Sequence, residues 1–232
     1  MDIDIGTYNA DPEQYKKLVQ ELYAQHPPIT LPPEYASFIE KDMLRFLIRL
    51  ARYKFVARLI KKSDCLLEIG SGSGLGCIFL SQHCTEATGV ELKCTEIEEA
   101  RSINRRSNCK FIQGDLFELN LPEKFDVVIA LDVIEHLTVE QGNRLIAAMA
   151  SRCKPHGMIV IGSPSIYSYP YQSPLSQASH VHCYEQEELM TLIDQYYHRT
   201  IAFTMNDELV HTGYSKMAWY YFAIGFSPKL TE

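Results

Sequence analysis

No stretch of this 232-residue chain approaches the ~18 consecutive apolar residues that a bilayer-spanning helix needs. The opening Met1-Asp2-Ile3-Asp4 lacks the basic and apolar regions of a secretory leader. The seven cysteines are an odd number and none stands as C-x-x-C, so they are expected as reduced, mostly buried thiols of a cytoplasmic protein. An excess of positive charge is also missing. The formal net charge of −7 leaves no sequence-wide footprint for a polyanion and makes nucleic acid a disfavoured partner. No internal repeat or low-complexity linker interrupts the chain. The dinucleotide fingerprint G-x-G-x-x-G fails in both registers, because its third glycine falls on Leu75 counted from Gly70 and on Cys77 counted from Gly72.

What is present is an apolar run ending in an acid, Leu66-Leu67-Glu68-Ile69, followed by Gly70-Ser71-Gly72-Ser73-Gly74. The run reads as a buried parallel strand. The alternate glycines let the backbone turn sharply and lie against a ligand before a helix begins. With 46% hydrophobic residues, the chain fits one α/β domain with additions, below the roughly 250 residues at which single cores split.

The pattern acid-x-Gly-x-Gly-x-Gly at Glu68, Gly70, Gly72 and Gly74 resembles motif I of the class I S-adenosylmethionine-dependent methyltransferases. Two further acids end strands in order. Glu91 closes the segment 85–92, about twenty residues past the first glycine, where an acid commonly accepts both ribose hydroxyls. Asp115 closes 109–115, and the resemblance gives it the adenine amino group, with Leu116 flanking the ring. The run Phe125-Asp126-Val127-Val128-Ile129-Ala130-Leu131-Asp132 is similar to the family's motif IV, which would place Leu131 and Asp132 beside the sulfonium or the acceptor. The resemblance therefore implies S-adenosyl-L-methionine as cofactor, held by Glu68, Gly70, Ser71, Gly72, Gly74, Glu91, Leu92, Asp115, Leu116, Leu131 and Asp132. It also implies a Rossmann-like α/β fold with a seven-stranded mixed sheet in the order 3-2-1-4-5-7-6, strand 7 antiparallel, and helices on both faces.

Residues 1–62 form an N-terminal helical extension and 63–232 the methyltransferase domain. Asp11 caps a helix from Pro12 to about Gln25. A long helix runs from about Glu34 through Lys61, apolar at three- and four-residue spacing and decorated with Arg45, Arg49, Arg52 and Arg58. Strand 5 is expected over 157–162, strand 6 near 200–205 and the last strand over 216–226. Between them, 163–184 breaks the pattern and reads as an acceptor lid, in which Tyr167, Tyr169 and Tyr171 either stack on a substrate ring or pack the loop onto the body.

A hydroxyl acceptor must lose its proton, and a histidine in reach contributes about 10²- to 10⁴-fold as general base. His180 is preferred, then His136 and His182, all at the strand C-terminal edge where ligands bind. No metal is assigned. A divalent ion enters only as an alternative, on Asp132, Glu135 and His136 with His180 or His182, an arrangement similar to that of small-RNA 2′-O-methyltransferases. The expected activity is O-methylation of a small molecule such as a sugar or glycan precursor. The alternatives are metal-assisted RNA 2′-O-methylation, favoured if the arginines of the long helix converge on one groove, and a non-catalytic cofactor-binding module.

Overall fold

The computed structural model describes residues 10–119, 121 and 124–229. By internal packing the chain divides into a unit up to Leu31 and another from Pro32 onward. The first holds one helix, α1 (Pro12–Gln25), started as expected by Asp11, whose carboxylate accepts the N–H groups of Glu13 and Gln14, each at 3.0 Å.

In the second unit the expected long helix is two helices, α2 (Pro33–Lys41) and α3 (Met43–Leu59). Asp42 divides them. Its N–H closes α2 on the Phe38 carbonyl while its side chain accepts the N–H of Arg45 at 3.0 Å and opens α3. An aspartate that can cap competes with helix continuation even inside an unbroken apolar period.

The sheet takes β1 (Cys65–Ile69), β2 (Glu86–Glu91), β3 (Cys109–Gln113), β4 (Phe125–Leu131), β5 (Cys153–Pro164), β6 (Tyr197–Asn206), β7 (Leu209–His211) and β8 (Tyr220–Pro228) in the order β3-β2-β1-β4-β5-β8-β6-β7. The strands β1 to β5 are parallel, and β8 runs antiparallel between β5 and β6, as the expected seventh strand did. The eighth strand, β7, lies in the stretch between the expected strand 6 and the expected last strand. It pairs on the outer edge of β6 through a hairpin whose turn residue Asp207 has φ +50°.

The central strands are apolar without alternation because both faces are covered. Leu66, Val127, Ile129 and Leu131 join the core that includes Ala51 and Val56 of α3 and Cys77 and Leu80 of α4 (Leu75–Leu80). Ile97 and Ala100 of α5 (Cys94–Ile103) complete that side. Leu67, Ile69, Val128 and Ala130 join Leu145 and Ile146 of α6 (Val139–Arg152), and Leu189 and Ile193 of α8 (Gln186–Asp194), on the other. The segment 163–184 is ordered into a 3-10 turn, Ile166–Tyr171, and a short helix α7 (Pro174–Ser179).

Candidate functional site

The backbone after β1 takes positive φ at Gly70 (+69°), Gly72 (+52°) and Gly74 (+84°), a path that alternate glycines permit and L side chains resist. The N–H groups of Gly70 and Ser71 both reach the Val90 carbonyl, at 2.9 and 3.1 Å, which folds the loop over the end of β2. A Cβ at Gly74 would lie 2.6 Å from the Ala100 Cβ, whereas one at Gly72 would meet only the Glu96 carboxylate, at 3.4 Å. The loop is therefore packed below and open above. Tyr35 of α2 closes its far end, its hydroxyl accepting the N–H of Leu75 at 3.2 Å.

Three acids face this loop or its neighbours. Glu68 is 1% exposed with Oε2 unpartnered, and burial pushes its carboxyl up to about 8 against the hydrogen bonds of Tyr53 and Cys77 and the charge of Arg49. Glu91 ends β2 and accepts the N–H of Gly72 at 3.1 Å and of Lys93 at 3.0 Å. Asp115 follows β3 and turns the chain by accepting the Phe117 N–H at 2.8 Å. Leu116 beside it is buried, while Leu92 is exposed. Arg152 pins that turn, donating to the carbonyls of Leu116 at 3.1 Å and Leu119 at 2.6 Å.

These features fit S-adenosylmethionine. The Gly72 cradle is open, a buried Glu68 oxygen and the buried Ser71 hydroxyl lack partners, and acids stand at the ends of β1 and β2 and after β3. Of the expected cofactor residues, Glu68, Gly70, Ser71, Gly72, Gly74 and Glu91 are joined directly by the loop and its hydrogen bonds.

At the end of β4, Leu131 is buried and Asp132 sits at φ +58°, its N–H on the Gly162 carbonyl at 2.9 Å. Arg52 of α3 donates from Nη1 to both Asp132 carboxylate oxygens, at 2.7 and 2.5 Å, and its guanidinium lies 4.0 Å from the centre of the Tyr220 ring. Tyr220 was not singled out from the sequence, and Arg52 was named only with Arg45, Arg49 and Arg58 as a candidate basic groove, not as a partner of Asp132. A signal was available, since Arg49 and Arg52 share the three- and four-residue spacing of buried Tyr53 and Val56, so charge falls on the inward stripe of α3. Arg49 is paired with Glu34.

Past β4, Glu135 is fully buried, and burial first, then the charge of Asp132, lifts its carboxyl to about 8. It accepts the Ser163 hydroxyl at 3.2 Å, and its backbone carbonyl anchors the end of the 163–184 segment by accepting the N–H groups of Val181 and His182. His136 and His180 meet edge to face with ring centres 4.9 Å apart. His136 donates from Nδ1 to the Ser179 carbonyl at 2.9 Å, which leaves Nε2 as its acceptor nitrogen. Burial, then the charge of His136, lowers the pKa of His180, against the pull of Asp132. His182 is not brought to this pair; its Nε2 lies 2.7 Å from the Glu188 carboxylate.

One ligand atom from each of Glu135, His136 and His180 falls within 4.8 Å of the others, a donor set of one carboxylate and two imidazoles. Asp132, expected among such ligands, is instead held by Arg52. The three tyrosines of the 163–184 segment are engaged within the protein. Tyr167 donates to Glu185 at 3.0 Å and Tyr169 to the Gln177 carbonyl at 3.2 Å, while Tyr171 meets Trp219 edge to face.

Residues 67–161 match the family model described as a methyltransferase domain. A ubiquinone biosynthesis O-methyltransferase of Rickettsia conorii is 31% identical over 115 residues, 49% of this chain and 39% of that protein. A mitochondrial protein of the same name from Schizosaccharomyces pombe is 27% identical over 134 residues, 53% and 47% of the two chains. The chain thus spans less than half the length of these relatives. Among solved structures, an N-methyltransferase of Bradyrhizobium japonicum in complex with S-adenosyl-l-homocysteine superposes with a TM-score of 0.60 at 19% identity, covering 78% of this chain and 88% of that one. A possible histamine N-methyltransferase of Thermotoga maritima gives 0.64 at 18%, covering 83% and 94%.

Proposed function

We propose that this chain, whose residues 67–161 match a methyltransferase domain and whose fold is that of solved methyltransferases, is an S-adenosylmethionine-dependent methyltransferase that acts on a hydroxyl of a small molecule, such as a sugar or glycan precursor or another hydroxylated metabolite. When bound, S-adenosylmethionine supplies a methyl group on a sulfonium whose departure leaves a neutral thioether. The protein's own share is to hold, align and keep water out, and to take up the acceptor's proton.

The observation that carries the reading is the pair of His136 and His180 beside the end of β4, with His180 biased toward its neutral form. The His180 ring nitrogen away from Cys183 receives the hydroxyl proton. Glu91 and the turn at Asp115 hold the nucleoside, and Glu68 and the glycine loop hold the amino acid end. The names of the curated relatives support oxygen as the acceptor atom.

A second reading, metal-assisted transfer, is favoured by the convergence of Glu135, His136 and His180. Its extension to RNA has less support, since Arg49 and Arg52 are paired with Glu34 and Asp132 and do not add free charge to a groove. The test is calorimetric binding of S-adenosylhomocysteine, followed by mass-spectrometric detection of methylated products from a native extract. A gain of one methyl on hydroxylated small molecules supports the reading, and methylation confined to RNA overturns it.

A further inference from the structure

Residues 163–184 contain no Asp, Glu, Lys or Arg, but hold six serines, four tyrosines and two glutamines. Such a composition meets a ligand through flat amphipathic rings and adaptable hydroxyls and amides. A phosphate, carboxylate or ammonium would find no permanent counter-charge within the segment.

The tyrosines divide by what they touch. Tyr167 and Tyr169 direct their hydroxyls to Glu185 and the Gln177 carbonyl, and Tyr184 is buried. Tyr171 is 76% exposed, and its ring stands 5.7 Å from that of Trp219, itself 50% exposed, with the two planes inclined at 66°. Two ring faces so inclined form an open corner. Its mounts are fixed although its rings are not covered. Trp219 donates its N–H to Asn206 Oδ1 at 2.9 Å and accepts the Ser165 N–H at 2.9 Å, while Tyr171 ends a 3-10 turn closed by the Gln172 N–H on the Tyr169 carbonyl at 3.2 Å. Exposed rings on a rigid frame lose little freedom when a ligand covers them.

The corner is tied to the histidine pair. Gln172, next to Tyr171, reaches the Cys183 thiol, which lies 3.9 Å from His180 Nδ1. Its Nε2 donates to the Ser168 hydroxyl at 3.0 Å, while its Oε1 is buried without a partner, an acceptor left for a ligand hydroxyl.

We propose that Tyr171 and Trp219 are the platform on which the methyl acceptor lies, and that this acceptor is an uncharged glycoside. One sugar ring sets its apolar C–H face into the corner and turns its hydroxyl rim toward Gln172 and the serines, with the reacting hydroxyl at His180. The uncharged segment selects against phosphorylated and acidic sugars. The inference rests on the reading of a small hydroxylated acceptor and narrows it to one class.

The experiment uses the full chain saturated with S-adenosylhomocysteine. Trp219 is the only tryptophan, so its emission reports on the corner directly. An array of neutral, acidic and phosphorylated glycans is probed with the chain, and the retained glycans, with catechol as a plain phenol, are then titrated against that emission. The expected result is retention of neutral glycans and a shift of emission to shorter wavelength as the indole is covered. Tyr171→Ala weakens this binding about tenfold, the worth of a stacked ring, whereas Tyr171→Phe keeps it, and both variants melt near the wild-type temperature. Absence of any retained neutral glycan, binding only of anionic glycans or of catechol, or undiminished binding in Tyr171→Ala overturns the proposal. In that event, methyl transfer from S-adenosylmethionine to other hydroxylated small molecules of a native extract leaves the broader reading standing, and methylation confined to RNA overturns that reading too.

Discussion

The Glu91 carboxylate holds the amide of Gly72 at 3.1 Å, so the acid assigned to the ribose also fixes the loop that would lie against the rest of the ligand. Glu91→Ala removes both functions. Calorimetry is expected to show S-adenosylhomocysteine bound about tenfold more weakly or worse, consistent with the loss of a charged hydrogen bond. Unchanged affinity would take Glu91 out of the ribose site.

Gly74 and Gly72 share a positive φ but differ in what surrounds them. Gly74→Ala forces a Cβ to 2.6 Å from Ala100 and 2.7 Å from Phe111, so strain and overpacking together should lower stability by about 2–4 kcal/mol in denaturant titration. Gly72→Ala adds a methyl that meets only the Glu96 carboxylate, at 3.4 Å, and should cost only about 1 kcal/mol of stability, with a larger effect on cofactor affinity. Equal destabilisation by the two changes would contradict the packing described.

Glu68 gives the fold a pH signature. Its carboxyl in the folded chain is raised to about 8 by burial, above its ordinary value in the unfolded chain, so the folded state holds a proton that the unfolded state has released. The stability tied to that proton is full below the ordinary carboxylate pKa and is lost as pH rises through about 8. In the ligand-free chain, Glu68→Gln is expected to flatten the fall of melting temperature over this range. A fall as steep as the wild type's would assign the effect elsewhere.

His180 and His182 stand two residues apart and should behave differently. His180→Ala is expected to lower turnover about 10²-fold with S-adenosylhomocysteine affinity intact. His182→Ala should act through the lost partner of Glu188 and the lost edge-to-face contact with Tyr184, shifting melting temperature more than turnover. Full activity in His180→Ala would clear it of the base role.

Chelation separates the two chemical readings. Transfer assisted by protein groups alone survives exhaustive dialysis against a chelator. Loss of turnover that Mn²⁺ restores, and that Glu135→Ala makes permanent, moves the Glu135, His136 and His180 cluster from proton transfer to ion binding.

The glycine loop after β1 was legible in the sequence because its parts are local. Glu68, Gly70, Gly72 and Gly74 belong to one strand and the turn that leaves it, and Glu91 is placed by the next βα unit. The grip on Asp132 was not legible, since Arg52 lies 80 residues away in a helix where it is one of several arginines with nothing local to mark its partner. Its partner Tyr220 comes from the last strand. The break at Asp42 was hidden because the apolar spacing of α2 and α3 runs through it, and only the capping bonds reveal it. Three-residue β7 is too short to show a period, and a polar hairpin turn masks it. His136 and His180 were named separately, while their meeting depends on the fold of the segment between β5 and α8.

The position of β8 governs the order in which the molecule can be completed. During synthesis β5 and β6 are both made before the strand that separates them, so each waits with an unpaired flank and neither can bond the other in native register. A translation product stopped short of Tyr220 would carry two adhesive edges inside its own sheet, making arrested chains of this protein far more prone to clump than those lacking only the α1 segment.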